Sequence, residues 1–208
     1  MSEMLKKVAP ERITRAFYQK KWLQHGPRVE SVGWNDVKKQ KRRFEVLCDV
    51  GDIADSSILD AGCGFGDLYG FLKENEIVAR YTGVDAQPEF IVVAKERFPE
   101  ARFECFDLNT APPSHFPARF DYVLASGLFG LDVGDNRAFR EQMLKRLFDG
   151  CARAVAANFV SSYVDYREDY LAYTEPEEIV SFCMKSLTKK VVVRHDYFKF
   201  EFTVFLYR

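Results

Sequence analysis

Ile58-Leu59-Asp60-Ala61-Gly62-Cys63-Gly64-Phe65-Gly66-Asp67 is the stretch on which the reading of this 208-residue chain turns. Ile58 and Leu59 close an apolar run, and Asp60 ends it. Three glycines at alternate positions then let the backbone turn tightly and leave no Cβ in the way of a ligand. Leu68, Phe71 and Leu72 follow at helical spacing. The pattern predicts a buried strand over 57–61, a glycine loop, and a helix to about Asn75. Such a loop sets unpaired N–H groups and a positive dipole end beside whatever binds there.

Outward from the loop, strands and helices alternate. Strands are expected at Tyr81–Asp85, Ala101–Asp107, Phe120–Ser126 and Ala152–Val160. A helix starts at Pro88 and ends near Phe98; another runs from Arg137 to about Gly150, capped by Asp135 or Asn136. Thr174-Glu175-Pro176 opens a further helix. Lys189–His195 and Phe200–Tyr207 form a closing pair, antiparallel because the link is short. Ahead of the loop, Pro10 opens a helix carrying Ile13, Phe17 and Trp22. Asn35 or Asp36 caps a second helix through Phe44 and Leu47. No internal repeat or low-complexity linker interrupts the chain. We read residues 1–50 as a helical cap and 51–208 as the main domain.

Three carboxylates, Asp60, Asp85 and Asp107, end three successive strands. In an open α/β sheet such residues gather along one edge, where ligands bind. Asp85 lies 19 residues after Gly66, where an acid accepts both ribose hydroxyls of a nucleoside. The glycine spacing is G-x-G-x-G, not the G-x-G-x-x-G of dinucleotide sites. Asp60 before the loop would repel a pyrophosphate and suit an ammonium group.

The run Asp60-Ala61-Gly62-Cys63-Gly64-Phe65-Gly66 resembles motif I of the class I S-adenosylmethionine-dependent methyltransferases. The resemblance covers about residues 55–208. It implies a Rossmann-like α/β fold: a seven-stranded sheet in the order 3-2-1-4-5-7-6, last strand antiparallel, with an N-terminal helical extension. It implies S-adenosylmethionine as cofactor and S-adenosylhomocysteine as product. Asp60, Ala61, Gly62, Gly64, Gly66, Asp85 and Ala86 would line the cofactor site. Asp107 would receive the adenine amino group, with the Leu108 N–H facing a ring nitrogen. Ser126 and Gly127, after the fourth strand, would lie near the reacting methyl. Trp34 and Arg43 of the extension could also reach the cofactor. Amino methyltransferases of DNA bases or glutamine commonly carry Asn/Asp-Pro-Pro-Tyr/Phe after that strand. Ala125-Ser126-Gly127-Leu128 departs from it and argues against those substrates. Further stretches, among them Gly33-Trp34 and Glu201-Phe202-Thr203-Val204, resemble a little-characterised bacterial group of these enzymes.

The chain carries 30 Lys and Arg against 31 Asp and Glu, unevenly placed. Residues 1–45 hold 12 basic against 5 acidic side chains. A basic arm can contact nucleic acid, while the plainer reading is a solvated helix face. The five cysteines form no C-x-x-C pair and no metal spacing. With no signal peptide and no long apolar run, we expect reduced thiols, a cytoplasmic location, and neither metal nor membrane anchor. We expect a small-molecule acceptor. An RNA or protein acceptor, a nucleotide-dependent oxidoreductase and a non-catalytic binding protein are the alternatives. A general base is needed only for an acceptor that must lose a proton. His25, Tyr18 and Tyr163 are the candidates; His115 and His195 read as surface and structural. Tyr166 and Arg167 are candidate acceptor contacts.

Overall fold

The computed structural model describes residues 8–33, 36–111 and 119–208. Helix α1 (Pro10–His25) starts with proline at its first turn and stops at Gly26, whose φ of 61° only glycine adopts freely. A single 3₁₀ turn, Val29–Val32, links it towards α2 (Val37–Cys48). Asp36 caps α2, its carboxylate accepting from the N–H groups of Lys38 and Lys39 at 2.8 and 3.2 Å. The alternating units follow: β1 (Ser57–Ala61), α3 (Asp67–Glu74), β2 (Arg80–Asp85), α4 (Pro88–Arg97) and β3 (Arg102–Cys105). Then come β4 (Phe120–Ala125), α5 (Asn136–Asp149), β5 (Cys151–Ser161), the two-residue β6 (Tyr173–Thr174), α6 (Pro176–Ser186), β7 (Val191–Phe198) and β8 (Glu201–Tyr207).

The sheet order is β3-β2-β1-β4-β5-β8-β7, with β6 paired to β5 off this path. Strands β1 to β5 are mutually parallel, and β8 runs antiparallel to both β5 and β7. This is the expected seven-stranded order, with the reversed strand between β5 and β7. Parallel pairing brings the carboxyl ends of β1, β2 and β4 to one edge. Strand β3 is shorter than its apolar pattern suggests, so Asp107 lies two residues past it.

Alternation along the strands divides the core. Leu59, Val123, Val155 and Val204 face α5 and α6, packing with Met143, Leu147 and Ile179. Ile58, Leu124, Ala156 and Phe205 face the other side, with Leu68 and Phe71 of α3 and Ile91 and Ala94 of α4. Helix α2 joins this second layer: Phe44, Val46 and Leu47 are buried there. Each such side chain contributes about 1.5–3 kcal/mol on burial. Helix α1 has no fully buried residue: Ile13, Phe17 and Tyr18 are half-buried on its inner side, with the Tyr18 hydroxyl enclosed at the cavity. Among the described residues, no helix is long and apolar enough to cross a membrane.

Candidate active site

The loop after β1 uses its own N–H groups internally. Those of Gly62 and Cys63 donate to the Val84 carbonyl at 2.9 and 3.0 Å, and that of Gly66 to the Cys63 carbonyl at 3.0 Å. The Gly64 N–H donates to the Asp85 carboxylate at 2.9 Å. Four donors that a phosphate-binding loop would offer to an anion are therefore spent. A pyrophosphate approaching these four would have to displace bonds already made. Two of the glycines also serve packing. A Cβ on Gly64 would come within 3.0 Å of Val32, which closes the 3₁₀ turn onto the loop. One on Gly66 would meet the Phe103 ring at 2.8 Å.

A cavity of about 390 Å³ lies at this edge, within the ~300–1,000 Å³ of small-molecule sites. Asp60, Gly62, Gly64, Asp85, Ala86, Asp107, Leu108, Ser126 and Gly127 all line it. Ala61 and Gly66 do not. Ala61 is buried in the sheet, and Gly66 faces Phe98 and Phe103.

The three acids sit in different surroundings. Asp60 is buried and accepts from the Tyr81 hydroxyl at 2.5 Å. Burial pushes its carboxyl up to about 7 against the pull of that bond, and the charges of Asp85 and Asp67 add to the rise. Asp85 is pushed up to about 6, again by burial, although the N–H groups of Gln87 and Gly64 hold its two oxygens. Asp107 accepts from the Asn109 N–H at 2.7 Å, and Asn109 in turn donates to Glu11 of α1 at 3.2 Å.

Helix α1 lies across the cavity, with Glu11, Thr14, Arg15 and Tyr18 along one face. Its rings seat it: Tyr18 against Phe90, Trp22 against Phe65 and Phe90, and Phe17 stacked on Tyr170 at 5.8 Å. Tyr18 lines the cavity, but burial and then the charge of Asp85 push its hydroxyl up to about 12. It remains protonated at neutral pH, so it serves as a hydrogen-bond donor and not as a base.

The other candidates lie elsewhere. Arg43 does not line the cavity: its guanidinium donates from Nε and Nη2 to the two carboxylate oxygens of Glu201, over the Phe198 ring. The ion pair holds it against Glu201 at the start of β8. His25 ends α1 and is not among the described residues that line this cavity. Tyr163 is exposed and donates to Glu177 at 2.5 Å. Tyr166 is exposed too, and Arg167 lies over the Tyr173 ring. His195 sits in β7, its ring against Phe202. Trp34 and His115 fall outside the described residues.

Two lining residues went unread in the sequence. Gln40 lies one helical turn before Arg43, lines the cavity and donates to Asp67 at 3.2 Å. Gln87 precedes the α4 proline and is buried beside Asp85. The buried Gln87 Nε2 and Ser126 Oγ find no partner among the described residues, and both residues line the cavity. Orphan polar atoms in a roomy site fit a ligand that supplies the missing bonds. Acids without a facing phosphate nest fit a ligand with an ammonium and a ribose. The residues present therefore fit S-adenosylmethionine.

Comparison with known proteins agrees. Residues 58–158 match the family model described as "Methyltransferase domain". A Mycobacterium tuberculosis protein provisionally named methyltransferase Rv1506c is 32% identical over 154 residues, covering 71% of this chain and 90% of the relative. Magnesium protoporphyrin IX methyltransferase from Synechocystis PCC 6803, solved with bound S-adenosylmethionine, superposes with a TM-score of 0.69. It is 14% identical, covering 97% of this chain and 98% of that one. The DhpI complex with S-adenosylhomocysteine gives 0.65 at 16% identity, covering 96% and 94%. The chain belongs to the class I S-adenosylmethionine-dependent methyltransferases.

Proposed function

We propose that the enzyme methylates a small-molecule acceptor, with Asp60, Asp85 and Asp107 dividing recognition of the cofactor between them. Asp60 would face the methionine ammonium, Asp85 the ribose hydroxyls, and Asp107 with Leu108 the adenine. Gln87 Nε2 and Ser126 Oγ would supply further hydrogen bonds. The observation that carries this reading is the placing of three carboxylates around one cavity whose loop N–H groups are already used. Bound there, the cofactor supplies an activated methyl on a positive sulfur. The chain's own task is to hold donor and acceptor together and to exclude water. The α1 face from Glu11 to Tyr18 covers the cavity and suits that task, so residues 1–50 read as a lid and its support.

Three of the arm's 12 basic side chains are paired within the chain, which takes them out of any phosphate-binding surface. Lys41 pairs with Glu74, Arg42 with Glu45 and Arg43 with Glu201. Malonyl-[acyl-carrier protein] O-methyltransferase of Acetivibrio thermocellus is 34% identical over 98 residues, covering 45% of this chain and 34% of that protein. A cytoplasmic location fits a chain with five free thiols.

Calorimetric titration with S-adenosylmethionine, S-adenosylhomocysteine and NAD(H) tests the reading. Binding of the first two, absent for NAD(H) and collapsing in Asp85→Ala, is expected. Binding of NAD(H) alone to folded protein would overturn it.

A further inference from the structure

A second cavity, of about 80 Å³, adjoins the first; Tyr18, Val32, Gly127 and Leu131 line both. Its lining is mainly apolar and aromatic, with Phe17 and Tyr170 stacked beside it. Two strongly polar side chains enter the lining, Asn158 and Glu201. In the β5–β8 register Val160 faces Glu201 and Asn158 faces Thr203, so Asn158 and Glu201 are diagonal neighbours on one sheet face.

Each is fixed by a partner outside the cavity. The Asn158 Oδ1 accepts from the Gly127 N–H at 2.7 Å, which assigns the amide and leaves its NH₂ as a donor. Glu201 gives one acceptor site on each oxygen to Arg43, and a carboxylate has about four. A spare donor and a spare acceptor thus stand as diagonal neighbours, about 7–8 Å apart along the sheet, next to the end of the cofactor cavity marked by Gly127.

We propose that this second cavity is the acceptor subsite and that it selects an uncharged hydroxyl on a small apolar body. The proposal rests on the cofactor reading above. A hydroxyl donates to Glu201 and accepts from Asn158 at once. An ammonium has no lone pair for the Asn158 donor. A carboxylate or phosphate would face Glu201 with no cation among the described lining residues. The volume is about half of the ~150 Å³ cavity that holds benzene, so it takes the reacting end of the acceptor and not a whole ring.

The test is ¹⁹F NMR titration of protein saturated with S-adenosylhomocysteine, using three matched probes: 3,3,3-trifluoropropan-1-ol, 3,3,3-trifluoropropanoate and 3,3,3-trifluoropropylammonium. Saturable binding of the alcohol, at least ten-fold tighter than either charged probe, is expected. Glu201→Gln should weaken it about ten-fold. Asn158→Asp keeps an oxygen for the Gly127 N–H while removing the donor, and should weaken it as much, so the proposal does not hang on one variant's folding. Both variants should hold S-adenosylhomocysteine within two-fold of wild type. A charged probe binding as tightly as the alcohol, or an unchanged alcohol affinity in folded Asn158→Asp, would overturn the subsite. Failure of wild type to bind S-adenosylhomocysteine would overturn the cofactor reading first, and the subsite with it.

Discussion

Tyr81→Phe tests the electrostatics of the site through one atom. The hydroxyl sits 2.5 Å from Asp60, and both residues are buried. Burial lifts Asp60 to about 7, and the Tyr81 bond is what keeps it from rising further. A hydrogen bond to a charged group is worth about 1.5–3 kcal/mol, and 1.36 kcal/mol corresponds to one pH unit. Removing it should therefore move Asp60 from about 7 to roughly 8–9. The sign follows: S-adenosylhomocysteine brings an ammonium that favours ionised Asp60, so binding releases a proton and strengthens as pH rises through 7. Above about 8 the ligand's own amine loses its charge and the gain ends. Calorimetry from pH 5.5 to 8.5 reads the result. At pH 6.5 roughly a quarter of Asp60 is ionised in the wild type and a few per cent or less in the variant, so the variant should bind about ten-fold or more weaker. The gap should close towards pH 8.5. Coincident profiles, or a gap of equal size at every pH, would refute the pairing of Asp60 with the ammonium.

Arg43→Met leaves the Glu201 carboxylate uncompensated in a buried setting and should cost about 3–5 kcal/mol in urea unfolding; adding Glu201→Met should restore most of it. Leu47→Ala, at a fully buried site on α2, should cost about 2–5 kcal/mol by the same measurement. Deletion of residues 1–28 should by contrast leave one cooperative unfolding transition and weaken S-adenosylhomocysteine binding in calorimetry, because no residue of α1 is fully buried while its inner face lines the cavity. Gly66→Ala forces a Cβ to within 2.8 Å of Phe103 at a φ of 77° and should lower stability by about 1–3 kcal/mol in thermal unfolding.

Legibility in the sequence followed the range of the interaction. The strand–loop–helix at 57–74, the acids at 60, 85 and 107, and the strand order all rest on short patterns: alternation, glycine spacing, strand-end carboxylates. What escaped depends on contacts far apart in the chain. Arg43 reads as a cation near the site until β8 delivers Glu201, 158 residues later, to accept from its Nε and Nη2. Gln40, on the same helical side, carries no charge and gives no signal by itself. The strand β3 stops at Cys105 although its residues could continue, because pairing with β2 ends at Asp85. The base candidates turn on a related point. Histidines and tyrosines are read by type, whereas burial decides whether a Tyr18 hydroxyl can ionise at all.

The two helices ahead of the sheet divide the work of the extension by chemistry. Helix α2 carries Phe44, Val46 and Leu47 towards the sheet and shares its core with α3 and α4. At its start it sends Gln40 into the cavity, and at Arg43 it anchors the carboxylate that lines the second one. Helix α1 has polar and charged residues around most of its surface and holds on by rings: Phe17 to Tyr170, Tyr18 to Phe90, Trp22 to Phe65. Its attachment therefore touches both cavities, through Tyr18 at their junction. A helix seated by a few aromatic contacts and the Glu11–Asn109 bond opens at far lower cost than one built into the core. Opening of the covered face then leaves Asp60 and Asp85 where they are, because both are held within strands of the sheet.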